Sequence, residues 1–228
     1  MAYPDGTVAL RDVSLKIDDG EFVFIVGASG AGKTTLTKLL LCEERVSSGI
    51  LEVNSFHLEK MRSFRIPYLR RTMGVVFQDF RLFPNKTVYE NVAFPMQVIG
   101  ESGKRIRNTV TYFLDQVGLG DKAGSFPHQL SGGEQQRVAF VRAMVNNPKL
   151  IIADEPTGSI DNDLRDGLMD MLLQANRSGK KTVIVVTHDT DLLYRYRKRT
   201  IQLHKGRLVS DQIGFEGYAI PANGGENA

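Results

Sequence analysis

The sequence predicts an α/β fold with a mostly parallel core sheet, and three observations support this. Short apolar runs alternate with helical patterns along the 228 residues, as in sheets that carry helices on both faces. A glycine-rich loop, "GASGAGKTT", joins an apolar run to a helical pattern. The stretch from residue 84 to 129 is helical instead. Together they predict a P-loop nucleotide-hydrolase fold with a helical insert.

The predicted strands differ in pattern along the chain. Val13, Leu15 and Ile17 alternate with polar residues, which predicts a first strand with one buried side. The later runs are almost wholly apolar, as expected of strands buried on both faces. Near the end, "TIQLHKGRLV" predicts two short strands that form an antiparallel β edge. The apolar runs are "EFVFIV" at 21–26, "GVVF" at 74–77, "KLIIAD" at 149–154 and "KTVIVVT" at 181–187.

The helical insert contains one strongly amphipathic helix, because apolar residues recur there at helical spacing. Pro95, Gly100 and Gly103 are predicted to interrupt the chain before it. The apolar positions of this helix are Ile106, Val110, Phe113, Leu114 and Val117.

The chain is predicted to form a single domain over residues 1–228. Its core and β edge comprise 1–83 and 130–210, and its helical subdomain 84–129. The tail, 211–228, is rich in glycine and polar residues and is predicted to be flexible.

Composition restricts the function classes. The 29 Lys and Arg against 26 Asp and Glu leave a net charge of +3, so nucleic acid is not expected as a ligand. The single cysteine excludes a disulfide within the chain. No apolar run has the length of a membrane span and no signal peptide is evident. A soluble chain that reaches a membrane only through a partner is expected.

The glycine-rich loop fits the pattern G-x-x-x-x-G-K-[ST] at 27–34, with a strand before it and a helix after it. In such loops main-chain amides surround the phosphates, the lysine reaches the β- and γ-oxygens, and the hydroxyl contacts Mg²⁺. ATP and Mg²⁺ are therefore the expected ligands. The candidate binding residues are Gly27, Ala28, Ser29, Gly30, Ala31, Gly32, Lys33, Thr34 and Thr35.

Polar side chains follow three other predicted strands. Asp154 and Glu155 come after "LIIA", His188 after "TVIVVT", and Gln78 after "GVVF". Because the carboxyl ends of parallel strands share one edge, these residues should face the glycine loop. Asp154 could then bind the metal and Glu155 orient a water molecule, while His188 could contact the γ-phosphate and Gln78 the metal or the water.

A second stretch, "LSGGEQQR" at 130–137, places a serine and two glycines before a predicted helix. Amides at a helix start are unpaired and attract anions. Since the first loop already provides a phosphate site, this stretch requires a separate explanation.

With these motifs assembled, residues 3 to about 209 resemble the nucleotide-binding subunit of ATP-binding cassette (ABC) proteins. The resemblance rests most on "LSGGEQQR", which other P-loop enzymes lack. In that family this signature covers the γ-phosphate of ATP held by a second subunit. The resemblance thus implies an ATP-dependent homodimer, paired head to tail, that hydrolyses ATP.

The resemblance also implies a role for each matching position. Lys33, Glu155, His188 and Gln78 correspond to the catalytic set, and Thr34, Gln78 and Asp154 to the magnesium ligands. Two matches have simpler alternatives: Tyr3 could be a frayed terminal residue and Asp161 a helix cap. The remaining nucleotide contacts are Tyr3 against adenine, Ser131, Gly132, Gly133 and Glu134 in the signature, and Asp161 between the two sites.

Within the family, residues 74–100 and 130–148 most resemble the ATPases of bacterial cell division. Subunits that serve lipoprotein release or macrolide efflux have similar sequences in these two stretches and are the main alternative. A resemblance to any of these three kinds of subunit implies an integral membrane partner and a position on the cytoplasmic face of the membrane. The groove of this chain that receives the partner is predicted near Phe83, Val92, Phe94 and Met96.

Two further function classes are weaker. Soluble ABC proteins of DNA repair or translation usually carry two cassettes or long coiled coils, and neither is visible here. A scaffold that binds ATP without turnover would be expected to have lost some of the catalytic residues. This chain retains all of them.

The chain departs from the family pattern twice. It begins "MAYPDG", without the strand that usually precedes the adenine-stacking tyrosine, so either a trimmed start or a missing sheet edge is expected. It also carries "GSID" at 158–161 in place of "GNLD", a change expected to have little effect.

Overall fold

The computed structural model describes residues 1–3, 6–156 and 162–219. A six-stranded sheet forms the centre, in the order β4-β5-β6-β1-β7-β8, and β2 and β3 form a separate hairpin. All neighbours in the large sheet are parallel except β7 and β8. The strands are β1 (Phe22–Val26), β2 (Glu52–Val53), β3 (Phe56–His57), β4 (Met73–Phe77), β5 (Leu150–Asp154), β6 (Thr182–Val186), β7 (Arg199–His204) and β8 (Arg207–Ile213).

Seven α-helices accompany these strands in the described part of the chain. Three of them, α3 to α5, lie largely in or beside the predicted insert. The helices are α1 (Lys33–Leu40), α2 (Ile66–Arg70), α3 (Val88–Val98), α4 (Gly103–Gln116), α5 (Gly132–Met144), α6 (Asn162–Gly179) and α7 (Thr190–Tyr196).

The centre of the large sheet is buried on both faces because β1, β4, β5 and β6 are mostly apolar, whereas the edge strand β8 is half-buried or exposed. Along β1, Val23 and Ile25 point into one hydrophobic cluster with α1, while Phe22 and Phe24 point into a second cluster with α6. This follows from the two-residue period of a strand. The predicted parallel core and antiparallel edge are therefore confirmed.

A third hydrophobic cluster joins α3, α4 and α5. Val92 and Met96 belong to it and are 0% and 2% exposed, so the prediction that they line a surface groove was wrong. Apolar residues at helical spacing in this insert serve its own core. Phe83 is 38% exposed, and its ring packs 4.9 Å from that of Phe94.

Two predicted boundaries differ from the structure. Residues 8–17 form no strand in the described chain: only an isolated bridge joins Ala2 to Val8. The alternating side chains Val13, Leu15 and Ile17 still pack against the core, so burial alone explains their pattern. Pro95 lies inside α3 rather than ending it, since the packing of α3 on α5 outweighs the loss of one helical hydrogen bond.

The segment after β7 forms a strand and packs against the rest of the chain. β8 continues to Ile213, and Phe215 is buried, with its ring 5.3 Å from those of Tyr194 and Tyr218. The amide of Ala219 donates to Oε1 of Gln202 at 2.9 Å, and its carbonyl accepts from Nε2 of Gln202 at 3.3 Å. The tail predicted to be flexible thus makes defined contacts over residues 211–219, while 220–228 lie outside the described residues.

The start of α5 is closed by a capping box. Oγ of Ser131 accepts from the amide of Glu134 at 3.3 Å, and Oε2 of Glu134 accepts from the amide of Ser131 at 2.8 Å. Lys122 also forms a short ion pair with Glu134. The Lys122 ammonium and the Ser131 amide lower the pKa of Glu134 to about 2. The signature turn therefore keeps two of its amides paired, contrary to the sequence expectation, and leaves those of Gly132 and Gly133 outside the box.

Burial of the terminal segment can be tested with Phe215→Ala. We expect this variant to lower the free energy of unfolding by about 3 kcal/mol, because it leaves a cavity in the second hydrophobic cluster. Urea denaturation is the measurement. Phe64→Ala is the matched control: Phe64 is 66% exposed, so its loss should cost no more than about 0.5 kcal/mol. Equal stabilities for the two variants would contradict the buried position of Phe215.

The Glu134 cap predicts a pH-dependent stability difference. A carboxyl whose pKa is lowered on folding stabilises the protein above its unfolded pKa and loses that effect as pH falls. Glu134→Gln should thus be less stable than the unchanged chain at pH 6, and the difference should shrink between about pH 4.5 and 2. Urea denaturation of both proteins at several pH values measures it. A difference independent of pH would exclude the charge of Glu134 as its cause.

Candidate functional site

Two glycines of the loop stand where no Cβ would fit. A Cβ at Gly27 would lie 2.3 Å from the carbonyl oxygen of Leu203, and one at Gly32 would lie 2.7 Å from Cδ2 of Leu10. Gly32 also has φ 104°, a left-handed conformation that favours glycine. It caps α1 without any side-chain hydrogen bond. The first amides of α1 therefore remain available to an anion.

Lys33 lies across this loop and is nearly buried. Its Nζ donates to the carbonyl of Gly27 at 2.7 Å and to that of Ala28 at 3.4 Å. The same Nζ is 3.8 Å from Oε1 of Glu155. The ammonium group is thus held between the loop and the end of β5, where a phosphate chain in the loop would meet it.

Two carboxylates follow β5 in different settings. Asp154 is the last residue of the strand, and burial, with a further contribution from the Glu155 carboxylate, raises the pKa of its carboxyl. Glu155 has φ 47°, an uncommon conformation for a residue with a side chain. Its amide donates to the carbonyl of Val186 at 2.8 Å. This turn directs the Glu155 carboxylate toward His188, whose Nδ1 lies 2.8 Å from Oε2.

A cavity of about 1010 Å³ contains these groups. As predicted, the glycine loop lies together with Asp154, Glu155 and His188 in its wall. This arrangement arises because β1, β5 and β6 are parallel neighbours. Sequence reasoning missed the remaining lining residues, which are Thr7, Val8, Ala9, Gln202, Leu203, His204, Tyr218 and Ala219.

Tyr218 is the least foreseeable of these residues. It reaches the cavity because Phe215 is buried and Ala219 is bonded to Gln202. Burial, with a smaller effect of the Glu155 carboxylate, raises the pKa of the Tyr218 phenol. Two aromatic residues in a glycine-rich tail give no sequence signal for such a position.

Other predicted site residues lie outside the cavity wall. Gln78 directly follows β4, whose last residue pairs with Asp154, so it shares the sheet edge without lining the cavity. Oη of Tyr3 is 3.1 Å from Oγ1 of Thr35, although Tyr3 is not a lining residue either. Asp161 lies outside the described residues.

The signature turn is also separate from the cavity. Its residues at the start of α5, Ser131 to Glu134, do not contribute to the wall formed by the described chain. One copy therefore brings the glycine loop to Asp154, Glu155 and His188, but does not bring its own signature turn to them.

Arg142 links the signature helix to the loop after Gln78, and sequence reasoning missed it. Its side chain is half-buried, and its guanidinium donates to the carbonyls of Phe80 at 2.7 Å and Arg81 at 2.6 Å. Both acceptor residues have left-handed φ values, 55° and 46°. Arg142 thus holds a strained loop to α5, and a displacement of either element would affect the other.

Comparison with known proteins identifies the family to which this chain is similar. Residues 10–158, more than half of the chain, match the family model described as ABC transporter. The cell division ATP-binding protein FtsE of Streptococcus pneumoniae (strain D39) is 49% identical, covering 95% of this chain and 94% of that protein. The FtsE proteins of Mycobacterium tuberculosis and Escherichia coli K12 are 49% and 45% identical over 90% and 91% of this chain, covering 88% and 93% of their own lengths.

Solved structures agree with the fold. The ATP-binding cassette MJ0796, in a dimeric post-hydrolysis state with ADP and Pi, matches with a TM-score of 0.81 and 36% identity. The match covers 91% of this chain and 92% of that one. For cbiO1 of Clostridium perfringens the TM-score is 0.84 and the identity 31%, over 92% of this chain and 84% of that one. The chain therefore belongs to the ABC transporter family, as an ABC-type ATPase.

Proposed function

We propose that two copies of this chain pair head to tail around two ATP molecules and that ATP-driven pairing moves a membrane partner. One observation supports this most directly. The signature turn does not line the cavity of its own chain, yet its Gly132 and Gly133 amides lie outside the capping box. A two-fold related copy could bring that turn to the γ-phosphate. The relative MJ0796 is dimeric with ADP and Pi.

In this proposal the site residues act on the γ-phosphate of ATP. Lys33 and the loop amides stabilise the charge on the phosphate oxygens. Glu155 orients a water molecule and accepts its proton as the water oxygen bonds to the γ-phosphorus and the bond to the β-phosphate oxygen breaks. His188, 2.8 Å from Glu155 in the structure, keeps that carboxylate in place and contacts the γ-phosphate.

The donor set fits Mg²⁺ bound together with the nucleotide. Within the described ranges, no three His, Cys, Asp or Glu side chains cluster as an independent metal site would require. Mg²⁺ usually takes one or two carboxylates and completes its shell with phosphates and water. Asp154 would supply a carboxylate oxygen, Thr34 a hydroxyl oxygen and Gln78 an amide oxygen. When bound, the ion would neutralise phosphate charge during transfer.

ATP would favour the closed pair through its γ-phosphate, since only that group reaches both copies. A ligand shifts a conformational equilibrium only by its difference in affinity for the two states. Hydrolysis removes the bridging group, so the pair should reopen. In this proposal Glu155, on its strained turn, would lie next to the surface between the copies.

The membrane partner that we propose is FtsX, in bacterial cell division, with this chain on the cytoplasmic face of the membrane. The FtsE relatives support this choice. No helix in the described part of the chain is long and apolar enough to cross a bilayer. A lipoprotein-release or macrolide-efflux type partner is the alternative.

The proposed docking surface lies where the helical subdomain meets the core, around Phe94 and Phe83. We further propose that residues 84–129 form this subdomain, beside a core of residues 1–83 and 130–210. Phe83 follows the loop that Arg142 binds. Movement of a docked partner helix would therefore be transmitted through this loop both to Gln78 and to the signature helix α5.

Glu155→Gln tests the motor. The variant should bind ATP, hydrolyse it at least about 100-fold more slowly because the general base is lost, and remain as a dimer while ATP is present. Phosphate release and light scattering measure the two effects. The double variant Glu155→Gln/Ser131→Arg should stay monomeric with ATP, since the arginine blocks the signature turn. A monomeric Glu155→Gln at saturating ATP, or a double variant that still pairs, would refute the head-to-tail arrangement.

Lys33→Ala tests nucleotide binding itself. Loss of a charge-assisted phosphate contact should weaken ATP binding by roughly 1.5 to 3 kcal/mol. Isothermal titration calorimetry is the measurement. Lys38→Ala, on the same helix but outside the cavity wall, is the matched control and should bind ATP normally. Unchanged affinity in Lys33→Ala would remove Lys33 from the site.

A further inference from the structure

A strongly basic surface lies around α2. Residues 60–71, "KMRSFRIPYLRR", contain five cations and no acidic residue. The whole chain has a net charge of only +3, so the other residues together carry −2. We call the exposed side of residues 60–71 the α2 surface. Its cations are Lys60, Arg62, Arg65, Arg70 and Arg71.

These cations are not neutralised by neighbouring carboxylates. Across the described ranges, none of the five forms an ion pair. Arg71 lies 5.0 Å from the ring centre of Tyr68, and Nε of Arg70 donates to the carbonyl of Leu41 at 3.0 Å. The nearest acidic neighbour in sequence, Glu59, has a side chain only 13% exposed and accepts from the amide of Leu51. The α2 surface therefore presents net positive charge to its surroundings.

Two large aromatic side chains project among the cations. Phe64 is 66% and Tyr68 is 55% exposed, and their four-residue separation along a helical turn places them on one side. Leu69 is fully buried in the core. Burial of Leu69 fixes this turn on the protein while Phe64 and Tyr68 face outward.

The α2 surface is remote from the nucleotide cavity. Arg71 lies two residues before β4, at the amino-terminal end of that strand, whereas the cavity lies at the carboxyl ends of its parallel neighbours. Pairing through the cavity and the signature turn would leave the α2 surface accessible.

Its chemistry matches an anionic lipid surface. Clustered Lys and Arg attract the phosphates of anionic headgroups, and exposed Phe and Tyr favour the boundary between headgroups and acyl chains. A long nucleic acid would have to continue over the rest of the molecule, which carries net negative charge. A planar membrane can instead contact this surface alone. We propose that the α2 surface binds anionic lipid headgroups directly, without the membrane partner.

Vesicle sedimentation of the full chain, without any partner, tests this. Vesicles of phosphatidylcholine with 30% phosphatidylglycerol, a composition chosen for the assay, are compared with phosphatidylcholine alone, at low and high salt. We expect binding only to the anionic vesicles and weaker binding at high salt. Arg62→Glu/Arg65→Glu should lower the affinity at least about 25-fold, since each of the two lost cations contributes about fivefold near the surface.

The matched control is Lys104→Glu/Arg107→Glu, which makes the same charge change at exposed positions of α4. This control should bind vesicles like the unchanged chain, and both double variants should retain ATP turnover, which shows that they are folded. Equal binding to neutral vesicles, or equal losses in the two double variants, would overturn the proposal. So would Arg62- and Arg65-dependent binding of a duplex oligonucleotide in the absence of vesicle binding, which would identify nucleic acid as the ligand.

Discussion

The parallel pairing of β1 with β6 on one side and β7 on the other determines the rest of this structure. Both faces of β1 are apolar, so the strand is stable only when helices cover each of them. Parallel strands then end together, and the loops after β1, β5 and β6 meet at one edge. This register brings the glycine loop, Asp154, Glu155 and His188 to one edge, where direct contacts of Glu155 with Lys33 and His188 join their segments.

Electrostatic contacts at that edge link three different loops. The Glu155 carboxylate is 2.8 Å from Nδ1 of His188 and 3.8 Å from Nζ of Lys33. It is held there by a left-handed backbone and by the hydrogen bond of its amide to Val186. Unfavourable conformations of this kind persist where the surrounding structure fixes them, commonly at functional sites. The sheet thus provides the rigidity that the polar groups require.

One copy of the chain contains most, but not all, of the proposed ATP site. The signature turn starts a helix whose other end packs beneath the loop after β4, and Arg142 joins the two through the carbonyls of Phe80 and Arg81. A second copy would complete the site from outside. The α2 surface lies away from that edge, so the proposed nucleotide pairing and the proposed membrane contact would occupy different sides of the molecule.

The sequence by itself determined the strand and helix order of the core, the glycine loop and the polar residues at the strand ends, because each leaves a local pattern. Tertiary structure alone decided the features that depend on distant partners. Burial of Phe215 brings Tyr218 to the cavity, and packing keeps Pro95 inside α3. Residue spacing records which side chains are buried, but not which segments bury them, since that depends on contacts between residues far apart in the chain.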